Sequence, residues 1–418
     1  MTKLIALRAS PTLHLYQSIL SVEEKRLSAV NSTLNHGKTE LLHALGLTQV
    51  EPTDHAPKIL HTFQRLDYMK AFVIETPNPA VAERARELLE PDYLVLPDLR
   101  FTLPMPEIFR RYARRPRGEP YWPESSGVAL AHQQDILGQG VLVGVLDTGC
   151  DADHLELRNK VIDFRYIPLD PTSDAVRTCR AFDVDGHGTH VAGIIAGRHV
   201  GVAPAVDLMV ASVIESETLH TSLERVVIAL NWMLAKFQLE ENLHKPTIIN
   251  LSLGFLPEWI GQGQAATVSR GIQQILNTLV VDYNVLPIVA IGNDGPGRMR
   301  APAYFPETLS VGAVDQHLQP APFSGGGRSP LVPENEPDLV GYGVDILSSL
   351  ERTIEGRSVY ATASGTSMAA PYVTGIAALL ASMDPTLQGQ KLRQHLLDHA
   401  VSIDAPSDRV GAGLARFG

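Results

Sequence analysis

Four short stretches of this chain carry side chains that could cooperate in acyl chemistry. Asp147 opens Asp147-Thr148-Gly149, and His187 opens His187-Gly188-Thr189-His190-Val191-Ala192-Gly193. Asn293 lies in Gly292-Asn293-Asp294-Gly295, and Ser367 lies in Ser364-Gly365-Thr366-Ser367-Met368-Ala369-Ala370-Pro371. A serine hydroxyl is a poor nucleophile until a base takes its proton. Histidine can do so near neutral pH, and a carboxylate beside it holds the tautomer and stabilises the imidazolium. A side-chain amide can then donate to the oxyanion of a tetrahedral intermediate. The small residues around each group permit close approach. Taken singly, each has a plainer reading. Asp before Thr-Gly is a turn residue, and Ser367 could be only a helix N-cap. His187 and His190 at i, i+3 could ligate a metal, but no third ligand has matching spacing, so His190 reads as a satisfied buried histidine. The joint occurrence of all four groups favours chemistry.

The elements that must position these groups are legible in the apolar runs. Val141–Leu146, Leu208–Val213, Thr247–Leu253, Leu286–Ile291 and Leu309–Val314 read as strands that several times end in a polar residue and glycine. Continuous apolar strands are buried on both faces, which implies a parallel sheet covered by helices. Stretches 189–197, 219–238, 264–281 and 368–383 can supply that cover. The predicted class is α/β, a mostly parallel central sheet flanked by helices, preceded by a small α+β domain. Ligands in such sheets sit outside the carboxyl ends of the strands, where Asp147 and Asn293 fall.

The chain has 418 residues, 44% of them hydrophobic, which suits two or three units and excludes a wholly disordered chain. A net charge of −11 disfavours duplex nucleic acid or an anionic membrane as partner. Two cysteines exclude a disulfide scaffold and a four-cysteine zinc site. Cys150 and Cys179 read as packing thiols, or as a redox pair near Asp147 and His187. No window approaches about 18 consecutive apolar residues, so no transmembrane helix is expected. Leu4-Ile5-Ala6-Leu7 is too short for a secretory signal, so a cytoplasmic location is expected.

Over residues 121–418 the sequence resembles the subtilisin-like serine proteases. All three catalytic blocks stand in the order Asp, His, Ser, which is the order in subtilisins. The resemblance implies a serine endopeptidase acting on protein or peptide substrates, with no cofactor. It assigns Asp147 as orienting acid, His187 as general base then acid, Ser367 as nucleophile and Asn293 as oxyanion donor. Ser252-Leu253-Gly254 matches one wall of the primary specificity pocket, and Ala290-Ile291-Gly292 the opposite wall. Arg298 and Arg300 fall near the pocket floor. Arg300 reaching in would favour acidic side chains; otherwise both arginines face solvent. Several departures stand out, among them residues 219–246, which are longer and more helical than in compact relatives. Ala196–Pro204 is too short and too poor in oxygen ligands for the calcium loop of many relatives, so no metal is assigned. Glu156 with Asp151 and Asp153 leaves another cation site open. Val340-Gly341-Tyr342-Gly343 replaces the expected turn before the nucleophile.

The region before residue 121 divides into an N-terminal helical extension (1–56), a propeptide-like α+β domain (57–103) and a linker with a candidate processing site (104–120). Leu13, Tyr16, Ile19 and Leu20 can share one helical face, and Leu41, Leu42, Leu45 and Leu47 another. Residues 60–66 and 68–75 read as strands, 81–89 as a helix and 93–96 as a third strand. The basic run Arg110–Arg117 reads as a solvated connector. The resemblance implies that residues 57–103 are an intramolecular inhibitor whose tail, about Asp98–Pro106, lies in the cleft, with cleavage between Leu103 and Arg117. Two other activities fit the same residues: a peptide ligase or macrocyclase using the same acyl-enzyme, and a non-catalytic peptide-binding module.

Overall fold

The computed structural model describes residues 2–8, 63–76, 78–90, 93–103, 107–112, 114, 122–168, 179–215, 219–261 and 263–418. Its first unit is a four-stranded antiparallel sheet of β1 (Thr2–Arg8), β2 (Phe63–Leu66), β3 (Ala71–Thr76) and β4 (Tyr93–Pro97), in the order β2-β3-β1-β4. Helix α1 (Pro79–Leu89) connects β3 to β4 and is capped by the Asn78 side chain. The order is that of a split βαβ unit. Alternation along β1 sorts its side chains. Leu4 and Ala6 join Phe72, Ile74, Ala82, Ala85 and Leu89 in a small core under α1. Ile5 and Leu7 face the other way and join the core of the main unit.

Residues 2–8 therefore correct the expected boundary at residue 56. Leu4-Ile5-Ala6-Leu7 is a strand between β3 and β4, not part of a separate helical extension. The two helical faces expected within residues 13–47 lie outside the described residues. Beyond β4 come β5 (Arg100–Thr102) and β6 (Glu107–Tyr112), so part of the expected open linker is a paired strand.

A short helix α2 (Val128–Gln133) leads into the main unit. Its sheet contains β7 (Leu142–Asp147), β8 (Ile162–Tyr166), β9 (Asp207–Ser212), β11 (Thr247–Leu251), β12 (Leu286–Ala290), β13 (Leu309–Val314) and β14 (Leu339–Tyr342). The order is β14-β13-β12-β11-β7-β9-β8, and every neighbouring pair is parallel. The continuous apolar runs split by parity between two cores. Val143, Val145, Ile248, Ile288 and Val311 face helices α3 (His187–Ala196) and α6 (Thr366–Met383). Leu142, Leu146, Ile249, Leu251 and Val289 face α4 (Leu223–Phe237) and α5 (Ala265–Asn277). The expected three layers are present. The 219–238 stretch differs at its start, where β10 (His220–Ser222) precedes α4. Val340-Gly341-Tyr342 is the edge strand β14 rather than a turn.

Outside this sheet, β15 (Ile346–Leu350) and β16 (Val359–Ser364) form a hairpin that runs straight into α6. Among the described residues α6 alone is long and apolar enough to cross a membrane, and 89% of that stretch is buried inside the fold.

Candidate active site

Asp147 is the last residue of β7 and is fully buried. Its Oδ1 accepts from the Thr148 amide at 2.7 Å and meets His187 Nδ1 at 2.7 Å. His187 is the first residue of α3, and the start of that helix is fixed by Asp183. One Asp183 oxygen accepts from the Gly186 amide, and the other accepts from the amide and hydroxyl of Thr189. Gly188 lets the helix approach β7 closely, since a Cβ there would lie 2.0 Å from the Gly149 carbonyl oxygen. Asp183 was not singled out from sequence, since it stands three residues before the Gly186 N-cap and outside the position where a cap signal is read.

The electrostatics around His187 have a definite direction. Burial opposes the imidazolium, but the Asp147 carboxylate, with Asp185 and Asp183 behind it, outweighs burial and raises the pKa above the ordinary histidine value. His187 Nε2 is buried without a hydrogen-bond partner. With Nδ1 on Asp147, Nε2 is the atom left to exchange a proton. His190 behaves differently. Its Nε2 meets the Ala361 carbonyl at 3.0 Å, and burial pulls its pKa down to about 4, so it stays neutral.

Ser367 is the second residue of α6 and is fully buried. Asn250, Ser252 and Thr374 link β11 to this helix. Asn250 donates to Ser252 Oγ and accepts from Thr374 Oγ1. Asn293 follows β12, and its Oδ1 accepts from both the amide and the hydroxyl of Thr366, each at 2.9 Å. These bonds orient the amide by holding its oxygen on the helix start. Sequence reasoning passed over Thr366, whose hydroxyl also accepts from the Gly292 amide.

Two of the residues expected to bind substrate, Gly254 and Arg300, bond a strand that the chain supplies itself. Thr102 and Gly254 exchange both backbone hydrogen bonds, at 2.9 and 3.0 Å. On the opposite edge, β5 pairs antiparallel with β10, and the Leu103 amide donates to the Leu219 carbonyl. Phe101 and Leu103 are buried in this arrangement. Ser252, Leu253 and Ala290 are buried; Leu253 shares a core with Phe101 and Leu103, whereas Ala290 lies in the core on the other face of the sheet. Past residues 104–106, β6 pairs antiparallel with β16, matching Glu107 to Ser364 just before α6. Arg300 neither faces solvent nor stands as a bare cation, since Asp294 takes its guanidinium at 2.6 and 3.0 Å. Arg298 is exposed and reaches Glu258 at 3.4 Å.

Among the described residues no three His, Cys, Asp or Glu side chains gather as a metal set. Asp151 and Asp153 are bonded to Arg352, Asp153 also to Arg180, and Glu156 to His199 and Tyr360. Cys150 is buried and Cys179 exposed, both as free thiols, so they form no disulfide.

Residues 138–413 match the subtilase family of peptidases. The subtilisin-like protease PopC of Myxococcus xanthus is 46% identical over 347 residues, covering 80% of this chain and 72% of that protein. Subtilisin Savinase of Lederbergia lenta is 32% identical over 290 residues, 68% of this chain and 91% of that protein. The intracellular serine protease of Paenibacillus polymyxa is 34% identical over 295 residues, 66% and 79% respectively. The chain belongs to the subtilase family and is a serine-type endopeptidase.

Proposed function

We propose that peptide hydrolysis proceeds through Asp147, His187 and Ser367, with Asn293 as oxyanion donor, and that the chain is made as a self-inhibited zymogen. The Asp147–His187 hydrogen bond carries the catalytic part of this reading. Ser367 Oγ attacks the peptide carbonyl while His187 Nε2 takes its proton. Asp147 holds the ring and stabilises the imidazolium. The oxyanion is met by the Asn293 NH2 and by the positive end of α6. The imidazolium then protonates the leaving amine. Water hydrolyses the acyl-enzyme in a second round with the same base, releasing a free carboxylate.

The pairing of Arg100–Leu103 with β10 and Gly254 supports the inhibitory part. An extended peptide bound by β-augmentation uses the same backbone donors and acceptors. The tail is tethered to a domain that is itself docked. Asn231 accepts from the Tyr68 and Met69 amides, Lys3 pairs with Glu224 at 2.6 Å, and Lys70 pairs with Asp282 at 2.6 Å. Within the interval Leu103–Arg117, the pairing of Glu107–Tyr112 with β16 favours cleavage outside that strand. The relative named as an intracellular protease supports a cytoplasmic site of action.

A fluorophosphonate probe should label Ser367 in the wild type and not in His187→Ala. Equal labelling would remove His187 as base. N-terminal sequencing of the wild type beside Ser367→Ala tests self-processing, and identical truncation in both would exclude it.

A further inference from the structure

Arg300 is built into the cleft with more care than a surface arginine. Its Nε and one terminal nitrogen reach the two oxygens of Asp294, and its other terminal nitrogen donates to Thr102 Oγ1 at 2.7 Å. The side chains of Arg300 and Asp294 are only 11% and 15% exposed. The guanidinium carbon lies 5.6 Å from the centre of the Trp259 ring. Gly292, at φ +109°, leaves room for the pair. A Cβ there would lie 2.9 Å from Arg300 Cγ and 3.1 Å from an Asp294 oxygen. The backbone is equally fixed, since the Arg300 amide donates to Ile291 and the next residue, Ala301, exchanges both backbone bonds with Phe255.

We propose that Arg300, held by Asp294, is a specificity-determining residue for the side chain in the slot now filled by Thr102, the slot whose backbone pairs with Gly254. The guanidinium presents one oriented donor there, while Asp294 cancels its charge. The favoured substrate class therefore has a hydroxyl side chain, Thr or Ser, at this position. An acidic side chain there meets the same donor but also the neighbouring Asp294 carboxylate. This inference rests on the cleft assignment of the preceding section.

The first test does not depend on catalysis. In the full chain carrying Ser367→Ala, amide hydrogen exchange of the peptide containing Thr102 and Leu103 is compared with that of Thr102→Val, Arg300→Met and the double variant. A hydrogen bond to a charged donor predicts roughly tenfold faster exchange in each single variant, with no further gain in the double. Fully additive effects, or none, would overturn the contact.

The second test uses the active enzyme and a peptide library in which each position carries Thr, Val or Asp. At one position kcat/KM should favour Thr over Val by about tenfold, and Arg300→Met should bring that ratio near one. Asp294→Asn should shift the same position toward Asp, because the guanidinium then carries an uncompensated charge. Hydrolysis with no Thr preference at any position would overturn the specificity claim alone. Absence of hydrolysis of every peptide, with normal exchange protection, would overturn the cleft assignment instead.

Discussion

Replacing Phe101 by Ala tests whether the N-terminal tail restrains the enzyme. Phe101 is 2% exposed and meets Phe255 edge to face, with ring centres 5.0 Å apart. A buried phenylalanine covers about 150–200 Å² of apolar surface, worth roughly 4–5 kcal/mol at 25 cal/mol per Å². Large-to-small replacements of buried phenylalanine cost about 3–5 kcal/mol. Taking the lower figure, about 3 kcal/mol, the undocked fraction of the tail rises roughly 150-fold. The small core under α1 does not contain Phe101, so the N-terminal domain keeps its own packing. The assay is the initial rate on a fluorogenic peptide by the intact chain, with its mass confirmed before and after. At least a tenfold rise is expected, limited above by complete undocking. Phe101→Leu should rise far less. Faster hydrogen exchange in residues 100–103 with an unchanged hydrolysis rate would refute inhibition by the tail. No change in either would refute the energetic argument.

Three further outcomes follow from the same structure. Asp185 helps raise the pKa of His187, so Asp185→Asn should lower it and move the acid limb of kcat/KM to lower pH, measured as a full pH–rate profile. An unmoved or raised limb would exclude that coupling. Glu336 is buried, chiefly desolvated and beside Asp338, and its pKa is pushed up from 4.5 to about 8. The folded protein thus holds a proton that the unfolded chain has lost, and stability falls as pH rises from about 4.5 through about 8. Glu336→Gln should match the wild type near the lower limit and melt several degrees higher at the upper limit, by calorimetry. A Tm difference independent of pH would count against it. Cys179 is exposed and Cys150 fully buried. A thiol reagent should therefore modify Cys179 alone in the folded Ser367→Ala variant and both cysteines after denaturation, read by mass spectrometry.

What could be read from the amino acids divides along physical lines. The parallel sheet was legible because strands such as β7 and β11 are buried on both faces, leaving unbroken apolar runs. The candidate residues at their ends could be proposed because acyl chemistry restricts which side chains can serve. β1 was missed for the opposite reason. Leu4-Ile5-Ala6-Leu7 pairs with residues about seventy and ninety positions away, and no local signal announces partners so distant. β8 and β14 were missed as well. β8, at one edge of the sheet, has every residue only half-buried and so a weak apolar pattern, while β14, at the other edge, is fully buried but only four residues long, too short to show a period.

Arg300 marks where residue type stops being informative. An arginine near a binding pocket suggests attraction for acids, and its distance from the Asp294 carboxylate decides whether that charge is available. The sequence Asn293-Asp294-Gly295 offers a candidate amide donor, and nothing in it assigns a role to the aspartate beside that amide. In the fold that aspartate turns Arg300 from a free cation into an oriented donor, at 2.6 and 3.0 Å. The same holds for Asn293, whose amide is aimed by Thr366 from a helix seventy-three positions away. Groups that perform a reaction can be named from their chemistry. Groups that aim them are set by packing, and they emerge only when the chain is assembled.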